Sequence, residues 1–161
     1  MTKTSLRTPK QKEERIIIYT DGACSGNQFS NNKGGWGAVL KYKTTMKEIF
    51  GGEHNTTNQR MELTACIKAF EEMKTSNIPI EIYSDSAYLV NCMHQQWYKK
   101  WEVNGWKNAG KKPVENRDLW ERLIALIKKY RVSFHKVEGH RGVELNERAD
   151  ELARMGIAEL Q

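Results

Sequence analysis

Ile16, Ile17, Ile18 and Tyr19 form an unbroken β-branched and aromatic run that ends at Asp21-Gly22. A short apolar run closed by a turn dipeptide predicts a central strand covered on both faces. Segments 34–42 (GGWGAVLKY) and 45–53 (TMKEIFGGE) predict two further strands in an antiparallel meander, with turns near 31–35 and 43–45. From Asn58 the period changes. Met61, Leu63, Thr64, Ile67 and Phe70 recur at helical steps, and Asn77-Ile78-Pro79 closes the segment. Ile80, Ile82 and Tyr83 predict a fourth strand, followed by a helix capped by Asp85 or Ser86 and running to about Met93. A short tryptophan-bearing helix, a basic glycine-bearing loop, an amphipathic helix over 118–130, a strand over 132–137 and a helix over 144–157 complete the chain. This is the pattern of an α/β domain with a mixed sheet, and it contains no internal repeat.

The 161 residues suffice for one domain with a real core. With 39% hydrophobic and 29% charged residues and only 3 prolines, the composition excludes collagen-like and disordered classes. No apolar run approaches the roughly 20 residues of a membrane span, and the first 15 residues lack the apolar core of a secretory signal. Cys24, Cys66 and Cys92 are odd in number and lack zinc-ligand spacing, so they read as free thiols. A cytoplasmic location is expected.

Positive charge is concentrated in two places. The net charge is +6; residues 1–15 carry +3, residues 97–112 carry +4, and the rest of the chain sums to −1. The first segment has no apolar periodicity and reads as a disordered basic extension, with the folded domain covering 16–161. In the second, Trp97, Trp101 and Trp106 alternate with Lys99, Lys100, Lys107, Lys111 and Lys112, the mixture of rings and cations that grips a nucleic-acid backbone. Trp97 and Trp101, four residues apart, equally suit packing into the core. Trp106, after Gly105, reads as less of a core anchor than Trp97.

Two acids interrupt apolar strands. Asp21 follows IIIYT and Asp85 follows IEIYS, so each is expected at the C-terminal end of a buried strand, where open α/β sheets form their ligand crevices. Taken alone, Asp21 also reads as a turn residue and Asp85 as a helix cap. Taken as a pair on neighbouring strands, the carboxylates repel and call for a proton or a cation, and a hard divalent ion suits oxygen ligands.

The segments YTDGACSGN, TTNQRMEL, IYSDSAY, the Trp/Lys stretch running into KKPVENRDLW, and VEGHRGVELNERADELA resemble, in order, the signature blocks of type 1 ribonuclease H. The resemblance spans about 16–157. It implies a ribonuclease H-like mixed five-stranded sheet, three antiparallel strands then parallel ones, flanked by helices. It also implies hydrolysis of the RNA strand of RNA–DNA hybrids by a two-metal-ion mechanism, leaving 3′-hydroxyl and 5′-phosphate ends. The implied metal-binding carboxylates are Asp21, Glu62, Asp85 and Asp150, the implied loop histidine is His140, and the implied cofactor is two Mg²⁺ ions, with Mn²⁺ as a substitute. Cys24, Asn27, Asn58, Gln59 and Glu62 are the implied contacts to the RNA strand, and Thr57 and Asn116 the implied contacts to a DNA-strand phosphate. Ala87 departs from relatives that carry a longer side chain there.

The residues agree with that chemistry. Glu62 falls in the first turns of its helix, Asp150 one turn after Asn146, and His140 in a Gly-His-Arg-Gly loop suited to a proton carrier. Paired metals cleaving a phosphodiester need such a carboxylate scaffold. The expected partner is a hybrid duplex bound by a monomer, without a membrane. Another nuclease or strand-transfer enzyme on the same fold, and a non-catalytic duplex-binding module, are the alternatives.

Overall fold

A computed structural model of the chain describes residues 14–26, 31–74, 77–138 and 143–160. Five strands, β1 (Ile16–Ser25), β2 (Lys33–Tyr42), β3 (Thr45–His54), β4 (Ile80–Ser84) and β5 (Val132–Lys136), form one sheet in the order β3-β2-β1-β4-β5. β1 pairs antiparallel with β2 and β2 with β3, whereas β1, β4 and β5 run parallel. The helices are α1 (Asn58–Glu71), α2 (Ala87–Gln95), α3 (Trp97–Asn104), α4 (Arg117–Ile127) and α5 (Glu144–Ala158). One sheet face meets α1 over a core that includes Ile18, Leu63, Phe70, Ile82 and Trp120. Val39, Ala149 and Leu152 pack α5 on the opposite face. No helix among the described residues is long and apolar enough to cross a membrane.

The structure corrects the sequence reading at four points. β1 does not stop at Asp21-Gly22 but continues to Ser25, because β2 offers it a partner throughout, Asp21 facing Gly37 and Cys24 facing Gly34. The turn expected over 31–35 is shorter, because β2 starts at Lys33 and takes in Gly34 and Gly35 as the predicted strand over 34–42 does. Their small size serves packing: a β-carbon on Gly35 would fall 1.9 Å from the Ala153 carbonyl oxygen of α5. α1 ends at Glu71, well before Asn77. Glu14 and Arg15, assigned to the extension, already engage the domain: Tyr42 donates to Glu14 at 2.6 Å and Arg15 pairs with Glu81 at 3.2 Å. Residues 1–13 lie outside the described residues.

Local chemistry sets the ends of the helices that matter for function. The Thr57 hydroxyl accepts from the Arg60 N–H and caps α1. Asn32, buried, holds the turn ahead of α1 with both amide atoms, accepting from the Thr56 N–H at 2.9 Å and donating to its carbonyl at 2.7 Å. Ser86 caps α2 by accepting from the Leu89 N–H. The cap is therefore Ser86, which leaves the Asp85 carboxylate free for other work.

Candidate active site

The parallel ladder between β1 and β4 ends at the pair Tyr19 and Tyr83. Beyond it β4 stops at Ser84 while β1 continues along β2, so the two strands part and open a crevice. Asp21 and Asp85 stand at equivalent steps past that last pair, one on each wall. Glu62 enters from α1. The helix approaches β1 closely at Gly22, where a β-carbon would lie 2.4 Å from the Glu62 nitrogen, so only glycine allows this distance. The result is a group in which Asp21, Glu62 and Asp85 each offer a carboxylate oxygen, all within 4.8 Å of one another.

Burial gives this group its electrostatics. Asp21 is 7% exposed and Glu62 4%. Desolvation, then the neighbouring Asp85 charge and a hydrogen bond with Asp150, pushes the Asp21 pKa up to about 7. Glu62 is raised well above the ordinary carboxylate range by burial first and by Asp21 and Asp85 next, opposed by a hydrogen bond from the Gly22 N–H. Glu62 Oε2 is buried with no hydrogen-bond partner among the described residues. Asp21 and Glu62, crowded and pushed toward the protonated form, with one buried Glu62 oxygen left without a partner among the described residues, are the complement of a cation. The all-oxygen donor set fits a hard divalent ion such as Mg²⁺ or Mn²⁺.

Asp150 reaches the same place from α5. It hydrogen-bonds Asp21, yet it stands outside the 4.8 Å group, is half-exposed, and pairs with Arg154 at 2.9 Å one turn along its helix. Its helix is brought onto the sheet by the side-chain-free surface of Gly35 and Gly37. His140 and Asn27 lie outside the described residues.

The other residues expected to contact substrate lie on β1, at the start of α1 and ahead of α4. Cys24 is half-exposed on β1, three residues past Asp21, and Thr57, Asn58 and Gln59 are exposed at the start of α1. Asn116 stands before α4 with φ 61°, and its side-chain oxygen accepts from Arg60, which also pairs with both oxygens of Asp118 at 3.0 and 2.8 Å. Arg60 is absent from the site residues expected from the sequence, although it sits inside the TTNQRMEL block. Its partner Asp118 is 58 residues away, so spacing carries no signal of the pair.

Farther along, Trp97, Trp101, Trp106 and Trp120 form a chain of ring contacts with centroids 5.7–6.4 Å apart, tying α3 to the core. Trp106 is the correction here. Read as less of a core anchor than Trp97, it is 8% exposed, packs on Trp101 and carries the Arg117 guanidinium on its face. Its φ of 61° is in the left-handed region, which a tryptophan after Gly105 does not signal in the sequence. Trp97 and Trp101 are partly buried and also line a pocket of about 410 Å³ with Lys100, Asn104, Lys107 and Asn108. The lysines Lys99, Lys100 and Lys107 are exposed.

The RNase H family model matches residues 13–158. The chain belongs to the RNase H family. Ribonuclease H of Chlorobaculum parvum is 56% identical over 147 residues, covering 91% of this chain and 98% of that protein. Ribonuclease H of Syntrophomonas wolfei is 54% identical over 147 residues, covering 91% and 99%. Among solved RNase H structures, LC9-RNase H1, a type 1 RNase H with the type 2 active-site motif, superposes with a TM-score of 0.79 at 28% identity, covering 93% of this chain and 75% of that one. The RNase H fold expected from the sequence, a mixed five-stranded sheet flanked by helices, is the fold observed.

Proposed function

We propose that this chain is an endoribonuclease that hydrolyses the RNA strand of RNA–DNA hybrids, with two Mg²⁺ ions held by Asp21, Glu62, Asp85 and Asp150. The observation that carries the reading is the buried group of Asp21, Glu62 and Asp85, with its unpaired Glu62 oxygen, in a chain of the RNase H family. When bound, such ions supply a water of lowered pKa and charge to offset the leaving oxygen.

The protein's own residues do the rest. Asp21 and Glu62 give up the protons they hold when a cation arrives, and the rigid sheet end and α1 keep their oxygens in place. Asp150, half-exposed, completes the carboxylate set from the solvent side. His140, in the segment between β5 and α5, carries a proton to or from the reacting oxygen. Cys24, Asn27, Asn58 and Gln59 read the RNA strand, whose 2′-hydroxyls are displayed in the wide minor groove of an A-like duplex. Thr57 and Asn116 hold a DNA-strand phosphate, and Lys99, Lys100 and Lys107, with Trp97 and Trp101, grip that strand farther along. Cys24, Cys66 and Cys92 are free thiols, which suits the reducing cytoplasm, and the enzyme acts as a monomer.

The test is a panel of end-labelled substrates in Mg²⁺: an RNA–DNA hybrid, duplex DNA and duplex RNA of one sequence. Cleavage confined to the RNA strand of the hybrid, with 5′-phosphate products, is expected. Equal cleavage of duplex DNA would contradict the reading.

A further inference from the structure

Tyr88, in the first turn of α2, sits at the centre of a hydrogen-bond network whose donor and acceptor roles are fixed by chemistry. The Trp120 indole N–H, wholly buried, reaches the Tyr88 hydroxyl at 2.8 Å. An indole only donates, so the tyrosine oxygen accepts. Arg60 likewise only donates, and at 3.4 Å it faces Asn116 Oδ1. This fixes the Asn116 amide orientation: its oxygen faces Arg60 and its NH₂ group donates to Tyr88 at 3.2 Å. The Tyr88 oxygen therefore accepts twice. Its own hydrogen must be given away, and among the described residues it meets no acceptor. The phenol is half-buried, with its ring packed on Trp120 at 5.4 Å, so it has little freedom to turn elsewhere.

The neighbours identify what would accept that hydrogen. Thr57, Arg60, Asn116 and Tyr88 are joined in one chain of contacts of 3.1, 3.4 and 3.2 Å. Thr57 accepts at its oxygen in the α1 cap, and its hydroxyl hydrogen meets no acceptor among the described residues; Asn116 retains a second amide hydrogen. Each of these three neutral groups has a hydrogen with no acceptor among the described residues, and all are tied to Arg60 at the start of a 14-residue helix, Thr57 by the Arg60 backbone N–H, Asn116 by the guanidinium, whose charge Asp118 already pairs, and Tyr88 through Asn116; together they form a surface for an anionic oxygen. We propose that Tyr88 is a positioning residue for the DNA-strand phosphate: it orients the Asn116 amide and donates its own hydroxyl hydrogen to the same phosphate. This rests on the reading of Thr57 and Asn116 as phosphate contacts.

The experiment is a methylphosphonate scan of the DNA strand, replacing one phosphate at a time by a neutral group. For the unaltered protein, one position raises KM sharply. Tyr88→Phe removes a single oxygen; it is expected to raise KM for the unmodified hybrid about fivefold, with kcat changed less than twofold, and to abolish most of the penalty at that position. The salt dependence of KM keeps its slope, because the variant keeps every cation. Full retention of the penalty in Tyr88→Phe, with its disappearance in Asn116→Ala, overturns the role of Tyr88 alone. Retention in both variants overturns the phosphate reading beneath it.

Because Tyr88→Phe orphans the buried Trp120 N–H and lowers stability, a second measurement uses the unaltered protein. In EDTA, binding of the hybrid is expected to shift the Trp120 indole ¹H–¹⁵N resonance, and the hybrid carrying the methylphosphonate at the sensitive position is expected to leave it in place. Identical shifts with both duplexes would overturn the proposal.

Discussion

Gly22 and Glu62 are in backbone contact across the sheet–helix interface: a β-carbon on the glycine would come 2.4 Å from the glutamate nitrogen and 2.6 Å from the Met61 carbonyl carbon. That close approach sets how far Glu62 reaches toward Asp21, and it makes the glycine as necessary to the carboxylate group as the acids are.

Gly22→Ala is accordingly expected to push α1 away from β1. Overpacking of this kind costs roughly 1–3 kcal/mol or more, and displacement of a reacting group by about 1 Å costs on the order of 10²-fold in rate. Thermal melting and kcat measured together check this. A variant with normal kcat would show that Glu62 does not depend on the close approach.

Stability of the metal-free protein is expected to fall as pH rises from about 4 to about 7. Asp21 has a folded pKa of about 7 against an ordinary value of 3.8, so in this window the folded state holds a proton that the unfolded chain has released. The contribution of this group is greatest at low pH and declines by on the order of a few kcal/mol as pH passes 7. Melting curves in EDTA across pH check it: the slope should flatten in Asp21→Asn, and Mg²⁺ at pH 8 should restore stability to the unaltered protein.

Trp106→Ala is expected to destabilise the fold by about 3–5 kcal/mol, as truncation of a buried aromatic ring does. The ring packs against Trp101 and Arg117, and the handle is tied through Trp101 to Trp120. Denaturant unfolding measures it. Unchanged stability with weakened hybrid binding would return Trp106 to the substrate surface.

Neutralising Lys99, Lys100 and Lys107 together is expected to raise KM several-fold and leave saturated kcat nearly unchanged, since none belongs to the carboxylate group. The salt slope of binding should drop by about 0.7–0.9 for each phosphate that the variant no longer neutralises. Lys107 is held for this role by Asn104, whose amide accepts from its N–H and donates to its carbonyl, both at 3.0 Å. Retention of both KM and slope would mean that the duplex lies elsewhere.

Much of the fold and of the carboxylate group is legible in the sequence because the relevant signals are local. The Ile16–Tyr19 run, the helical period after Asn58 and the capping pair Asp85-Ser86 each carry their own evidence within a few residues, although only the structure chooses Ser86 as the cap. Asp21 and Asp85 stand out because acids are costly beside apolar strands. What the sequence hides is non-local. Asp21-Gly22 reads as a stop unless one knows that β2 lies alongside, and nothing near Gly35 in the sequence shows that α5 presses on it in the strand. Trp106 follows a glycine in a basic loop, and only the folded neighbourhood of Trp101 and Arg117 shows it to be buried. The Arg60–Asp118 pair and the Tyr88 network join residues between 28 and 58 positions apart, beyond any periodicity.

The central claim is that the carboxylate group works by holding divalent cations. Its most direct test is Mg²⁺-dependent cleavage of a hybrid labelled on the RNA strand, comparing the unaltered chain with Asp21→Asn and Asp85→Asn, together with hybrid affinity in EDTA. Cleavage is expected to rise with Mg²⁺ in the unaltered chain and to be nearly abolished in both variants, while EDTA affinity stays the same or improves as negative charge is removed. Substantial Mg²⁺-dependent cleavage by either variant would contradict the assignment.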